Sequence, residues 1–366
     1  MSQVCSPKHR LCRTLVMLLT WVFLTPVGAA ESAASAPKVD AEGVAYVPAS
    51  AVPPSHFMSE KSRRRFIEIF AHPDPGPAPG ADIRLVREFD DHKNAPYVAR
   101  AQQLYPVSIE RKVLGGVNVR VITPTAGVAP ENRKRVLINL HGGGFLWGED
   151  NGALTESIPI AGLGRITVIT VAYRMAPEFK FPAASEDVAA VYRELLKTHR
   201  SADIGIYGCS AGGYLAAESI AWLRKLQLPL PGAIGTFCGS AAPPTGDSRY
   251  VAPLLAGERP PAPTEAPSLE SPYFSDASAS DPLVMPINSP ELLAAFPPTL
   301  LIAGSRDGMV SSLFATQAAL TRAGVEAELH VWDGMWHAFF FDPDLPESQE
   351  VYRVVVRFFD RHLARP

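Results

Sequence analysis

The sequence predicts an α/β fold, a mostly parallel sheet with helices on both faces. Three observations carry that expectation. From about residue 107 onward, short apolar runs of strand length alternate with stretches of helical period, the pattern of βα units around a parallel sheet. The runs are continuously apolar rather than alternating, as strands buried on both faces require. Two of them end in glycine-rich turns, at 141–145 and 208–213.

The elements follow in chain order. Residues 1–30 read as an export signal. Lys8, His9, Arg10 and Arg13 precede an apolar run from Leu15 to Leu24, followed by Pro26 and the small residues Gly28, Ala29 and Ala30. A run of about ten residues is half the length of a spanning helix. The expected outcome is therefore cleavage near Ala30 and a periplasmic or secreted protein with no stable membrane span after processing. The alternative is an uncleaved N-terminal anchor. Residues 31–106 begin rich in Pro, Ala and Ser and then predict one or two helices, an extension expected to contribute to a cap. Segments 107–113 and 117–123 flank Gly115-Gly116 and predict an antiparallel hairpin.

The buried strands are then VLINL (136–140), ITVITV (166–171), IGIY (204–207), AIGTF (233–237) and TLLIAG (299–304), with AELHVW (327–332) strand-like near the end. Helical periods fall at about 184–199, 211–226, 311–323 and 347–363. Residues 241–298 interrupt the rhythm, with eleven prolines from Pro253 to Pro298. An irregular insertion of that length between core strands is expected to be a lid. The division is thus a signal at 1–30, an extension at 31–106 and a catalytic domain at 107–366 carrying the Pro-rich insertion.

Composition narrows the partner. The 366 residues are 47% hydrophobic and 19% charged, enough to bury a large core, and 34 basic side chains stand against 37 acidic ones. This balance gives no footprint for nucleic acid or an anionic membrane surface, so the expected partner is a small uncharged molecule. Homo-oligomerisation stays open. Cys5 and Cys12 fall in the signal, leaving Cys209 and Cys238, each at the end of an apolar segment where a buried thiol is common. Two cysteines make no disulfide framework. No H-E-x-x-H or paired-cysteine spacing implies a metal, and no cofactor is expected.

The chemistry concentrates in GCSAGG at 208–213. It holds G-x-S-x-G as Gly208, Ser210 and Gly212, directly after a strand and before a helix, which is the context that a nucleophile elbow requires. HGGGF at 141–145 follows another strand and presents backbone N–H groups with no side chain in the way, suited to a developing oxyanion. Neither glycine pattern reads G-x-G-x-x-G and no Walker lysine follows, against nucleotide binding. A serine nucleophile needs a base, and His330, His337 and His362 follow Ser210. His337 lies in the loop GMWHAFF, free to reach a pocket, whereas His330 sits in a strand and His362 in the last helix. The imidazole needs an acid, and among Asp247, Asp276, Asp281, Asp307 and Asp333 only Asp307 closely follows a core strand outside the insertion without crowding the histidine. The order Ser, Asp, His is that of α/β-hydrolases.

In HGGGF, YRMAPEFKFPAASED at 173–187 and GCSAGG, the chain resembles the hormone-sensitive-lipase-like esterases, bacterial family IV, over roughly 107–364. The resemblance implies an α/β-hydrolase fold with a cap, a Ser210, Asp307, His337 triad, and oxyanion donors in the amides of Gly143, Gly144 and Ala211. In the middle motif Tyr173, Arg174 and Glu178 are expected to order the loop under the site. The sequence departs from the family pattern at Cys209, usually Asp, at Tyr214, often Asn, and at Ser311, where a second acid is common. The implied activity is hydrolysis of short- to medium-chain carboxylic esters, with lactones and acetylated alcohols equally compatible. An amidase using the same triad and a non-catalytic ligand-binding protein on this scaffold are the alternatives. Phe145, Trp147, Tyr173, Tyr273, Phe274, Trp336 and Phe339 are candidates to line an apolar pocket or to pack the core.

Overall fold

The computed structural model describes residues 38–41, 43–47, 51–257, 259–262 and 271–364. The proposed export signal, with Cys5 and Cys12, lies outside them. The chain forms two compact units, 1–51 and 52–366. In the first, β1 (Lys38–Val39) pairs antiparallel with β2 (Ala45–Tyr46). Asp40 closes their turn, accepting from the Val44 amide at 2.8 Å and the Tyr46 hydroxyl at 2.9 Å.

The second unit opens with α1 (Glu60–Ala71) and α2 (Ile83–Leu104), whose free N-terminal amides are capped by the side chains of Ser59 and Asp82. The hairpin follows as β3 (Val107–Leu114) and β4 (Val117–Pro124), joined through Gly115 and Gly116, both at positive φ. Next come β5 (Val136–Leu140), α3 (Asn151–Gly164), β6 (Thr167–Val171), α4 (Ala183–Leu195), β7 (Ile204–Cys209), α5 (Ala211–Lys225) and β8 (Ala233–Phe237). The Pro-rich segment holds α6 (Asp247–Leu255) and α7 (Pro290–Leu293). The chain closes with β9 (Thr299–Gly304), α8 (Val310–Arg322), β10 (Ala327–Trp332) and α9 (Pro346–His362).

Strands β3 to β10 form one sheet in the order β10-β9-β8-β7-β5-β6-β4-β3. It is parallel from β10 through β6 and antiparallel where β4 joins β6 and within the β3–β4 hairpin. The expected fold class is therefore the observed one. Side chains alternate across the central strands: Ile138, Leu140, Ile204 and Ile206 join the core under α4, α5 and α8, while Leu137, Tyr207 and Cys209 face α3 and α9.

The sequence reading missed α3. Nine of its fourteen residues are buried, including polar Thr155, Glu156 and Ser157, and it also carries Pro159. A helix enclosed on nearly every side shows no apolar stripe, so periodicity had nothing to detect. The insertion also divides in a way its proline content hides. Its later part sends Tyr273, Phe274, Met285, Leu293 and Phe296 into the same core as α5.

Candidate active site

Ser210 sits between β7 and α5 at φ 58°, ψ −122°. For a residue with a Cβ that backbone costs on the order of 1–3 kcal/mol, and the surrounding packing enforces it. A Cβ at Gly212 would lie 1.8 Å from the Leu140 carbonyl oxygen, and one at Gly208 would lie 2.2 Å from the same atom. Only glycine lets the turn pass under β5, so the G-x-S-x-G spacing is a packing requirement. The Ser210 amide donates to Phe237 O at 2.7 Å, tying the elbow to β8.

His337 lies in the loop after β10 and Asp307 directly after β9. His337 Nδ1 is 2.9 Å from Asp307 Oδ1, and the same oxygen accepts from the Met309 amide at 2.8 Å. Asp307 is 1% exposed, whereas the His337 side chain is 39% accessible through a cavity that it shares with Ser210. Burial alone would lower the imidazole pKa. The charge of Asp307 and its hydrogen bond outweigh that and raise it above the ordinary value. The remaining candidates are occupied elsewhere. Asp333 accepts from the hydroxyls of Ser55 and Ser305, Asp276 pairs with Lys180, and Asp247 begins α6. Asp281 accepts from the Leu283 amide in a local turn. His330 and His362 lie beside Glu328 and Glu326 at the far edge of the sheet.

Gly143 and Gly144 line the cavity that holds Ser210 and His337. Their φ values are 107° and 60°, and a Cβ on Gly143 would lie 2.1 Å from the Trp147 carbonyl oxygen. Ala211 follows Ser210 as the first residue of α5, whose first-turn amides have no acceptor within the helix. The neighbouring His141 is a structural residue. Its ring stacks on Tyr173 at 4.2 Å, its Nδ1 is 2.7 Å from Gly142 O, and burial lowers its pKa to about 4, so it is neutral.

Tyr173, Arg174 and Glu178 order the adjoining loop. The Tyr173 hydroxyl donates to His141 O at 2.7 Å, Arg174 grips Asp187, and Glu178 takes two bonds from Arg87 on α2. Arg87 also donates to Leu146 O at 2.8 Å and Ala176 O at 3.0 Å, pinning α2 to the glycine loop.

Sequence reasoning missed Glu156 on α3. It is 3% exposed and accepts from the Gly142 amide at 3.0 Å, the Cys209 amide at 3.1 Å and Asn139 Nδ2 at 3.1 Å. It therefore bridges the glycine loop and the residue before Ser210. Burial pushes its carboxyl up to about 8 against those three donors. No motif marks it. The sequence marks Cys238 only as a thiol at the end of an apolar segment. It is free, buried and within 4.8 Å of Asp307 and His337, and its sulfur accepts from the Ala338 amide. Cys209 is likewise free and buried, and burial raises both thiols above their usual range, which holds them in the protonated form. The aromatic candidates separate. Phe145, Trp147, Phe274 and Trp336 reach cavities bordering Ser210 or His337, while Tyr173, Tyr273 and Phe339 are at most 1% exposed and pack the core.

Two cavities meet at Ser210. One, of about 330 Å³, includes His337, Gly143, Trp147, Asp90 and Asn94. The other, of about 130 Å³, includes Phe145, Ala211, Phe274, Met285 and Met309.

A family model described as alpha/beta hydrolase fold matches residues 137–341. The chain is 28% identical over 233 residues to an acetyl-hydrolase of Streptomyces hygroscopicus, covering 61% of this chain and 75% of that one. It is 29% identical over 240 residues to an ethyl acetate hydrolase of Pseudomonas putida, covering 62% and 73%. Among solved structures, an esterase aligns at TM-score 0.75 and 28% identity over 87% of this chain and 99% of that one. An esterase from the bacterial hormone-sensitive lipase family aligns at TM-score 0.69 and 25% identity over 84% and 99%.

Proposed function

The chain belongs to the α/β-hydrolase-fold family, in its hormone-sensitive-lipase-like esterase branch, and from that premise we propose that this carboxylic ester hydrolase works through an acyl-enzyme on Ser210. The observation that carries the mechanism is the 2.9 Å contact of His337 with buried Asp307 at a cavity shared with Ser210.

His337 Nε2 takes the Ser210 proton as Oγ attacks the ester carbonyl carbon. The carbonyl π electrons move onto oxygen, where the amides of Gly143, Gly144 and Ala211 stabilise the negative charge. Collapse breaks the bond to the alkoxy oxygen, which leaves with the proton held by His337. Water then repeats the attack with His337 as base, releasing the acid and Ser210. Asp307 holds the imidazole tautomer and stabilises its protonated form.

The smaller cavity, walled by Phe274, Met285 and Met309, supports a short apolar acyl group. Acetylated alcohols and lactones fit the same reading, and the names of the acetyl-hydrolase and ethyl acetate hydrolase relatives point the same way. The early part of the Pro-rich segment, with α6, and α2 act as the cap. Residues 1–30 direct export, which N-terminal sequencing of the mature protein checks. Turnover of p-nitrophenyl acetate tests the activity. Wild type is expected to be active and Ser210→Ala to lose about 10⁴-fold or more, and an unimpaired variant would refute the acyl-enzyme.

A further inference from the structure

We propose that Asp90 and Asn94 on α2 form a polar subsite for a hydrogen-bond donor, a hydroxyl or an ammonium group, on the alcohol part of the ester. The inference rests on the serine-esterase reading of Ser210 and His337.

The two side chains line the larger cavity together with Ser210 and His337. Asn94 is 7% exposed, and its Nδ2 donates to Asp90 O at 2.9 Å and Asp90 Oδ1 at 3.1 Å. Among the described residues that leaves Asp90 Oδ2 with no hydrogen-bond partner and the carboxylate with no cation in ion-pair contact, Lys93 acting on it only through its charge. Gly152 forms the wall beside it. A Cβ there would stand 3.5 Å from Asp90 Oδ2 and 3.8 Å from Asn94 Nδ2, so the glycine keeps the pair open to the cavity. Burial raises the Asp90 carboxyl to about 6, with Lys93 opposing and Asp91 reinforcing the shift. At neutral pH it is mainly an unpaired anion, and such an acceptor favours any donor that enters.

Which half of the substrate meets it follows from the proton transfer. His337 hands its proton to the departing alkoxide, so the alcohol part lies on the His337 side of Ser210. Of the two cavities that meet at Ser210, only the one containing Asp90 includes His337. The other is lined by Met285, Met309 and Phe274 and receives the acyl chain. The enzyme thus selects esters that are apolar at the acyl end and carry a donor at the alcohol end.

The test compares acetates in isosteric pairs. Monoacetates of ethylene glycol, propanediol and butanediol are set against the alkyl acetates in which methyl replaces hydroxyl. Dimethylaminoethyl acetate is set against isoamyl acetate. In wild type the donor-bearing member of at least one kind of pair is expected to lead in kcat/KM by about tenfold or more, the scale of one hydrogen bond to a charged acceptor, chiefly through KM. Asp90→Leu is expected to bring that ratio close to one. Asp90→Asn, which keeps the shape and an acceptor, retains part of a hydroxyl preference but loses an ammonium preference, and so identifies the donor. Wild-type ratios at or below one for both kinds of pair, or ratios unchanged in both variants, overturn the subsite while esterase activity stands. Failure of wild type to cleave any of the acetates would instead overturn the underlying reading.

Discussion

Asp307→Asn preserves the shape of the carboxylate but offers His337 Nδ1 the wrong partner. On the scale of the equivalent replacement in chymotrypsin, turnover is expected to fall about 10⁴-fold. Asp333→Asn alters contacts with the Ser55 and Ser305 hydroxyls, the Gly334 amide and the charge of Arg306 and is expected to cost less than about tenfold. Saturation kinetics on both variants check the pair. The same contact sets a pH limb. Asp307 raises the His337 pKa, so the acid limb of kcat/KM is expected above the ordinary imidazole value of about 6.5 and to move down in Asp307→Asn. Gly144→Val is expected to lower turnover far more than the melting temperature. A Cβ there meets only a Trp147 ring atom at 4.0 Å, but φ 60° is hostile to a β-branched residue, so the peptide must turn and re-aim its donor. Parallel losses of activity and melting temperature would make that role structural. These residues were legible because each is tied to a strand end. Glu156 was not, because a carboxylate inside an apolar stretch carries no spacing signature, and its role exists only once α3 lies beside β5 and β7.

Glu156 belongs to the elements it joins. Both of its oxygens accept, and even a protonated carboxyl keeps a lone pair for this on its hydroxyl oxygen, whereas an amide nitrogen accepts nothing, so Glu156→Gln forces an NH2 against one of the three N–H donors. The expected result is a stability loss of about 1–3 kcal/mol and a fall in kcat larger than the rise in KM. An unchanged kcat would show that the bridge does not position the glycine loop. The pH dependence carries a sign. Between about 4.5, the unperturbed carboxyl, and about 8 in the fold, the native state keeps a proton that the unfolded chain has released. Its contribution to stability is therefore full below about 4.5 and lost as the pH rises through about 8, and Glu156→Gln removes that slope in a melting-temperature series. Arg87 plays the corresponding part for α2. Arg87→Ala frees the helix from Leu146, Ala176 and Glu178, and kcat/KM is expected to fall about tenfold while the melting temperature drops by only a few degrees. Strands β5, β7, β8 and β9 were legible as buried runs, and α4, α5, α8 and α9 by helical period. Helix α3 was hidden by being enclosed, and the insertion was read by its prolines alone, which conceal how its later aromatics enter the core.

The whole molecule places two cavities of unlike character on either side of one serine. The small apolar one implies that p-nitrophenyl esters are cleaved best with acyl chains of about two to six carbons, since a longer chain leaves its tail outside the pocket walls. A preference for emulsified long-chain triglyceride would contradict that geometry. The parallel sheet delivers Ser210, Asp307 and His337 from the same edge of consecutive or neighbouring strands, β7, β9 and β10. This is why residues spaced far apart in sequence could be grouped from strand ends alone, whereas the approach of α2 could not, because nothing in 31–106 specifies where on the sheet its helices dock. Ser210 as the nucleophile is tested by labelling the purified protein with a fluorophosphonate and mapping the modified peptide: one adduct is expected, on the peptide containing Ser210, with activity lost in proportion to labelling. An adduct on a different serine, or full inhibition with Ser210 unmodified, would contradict it.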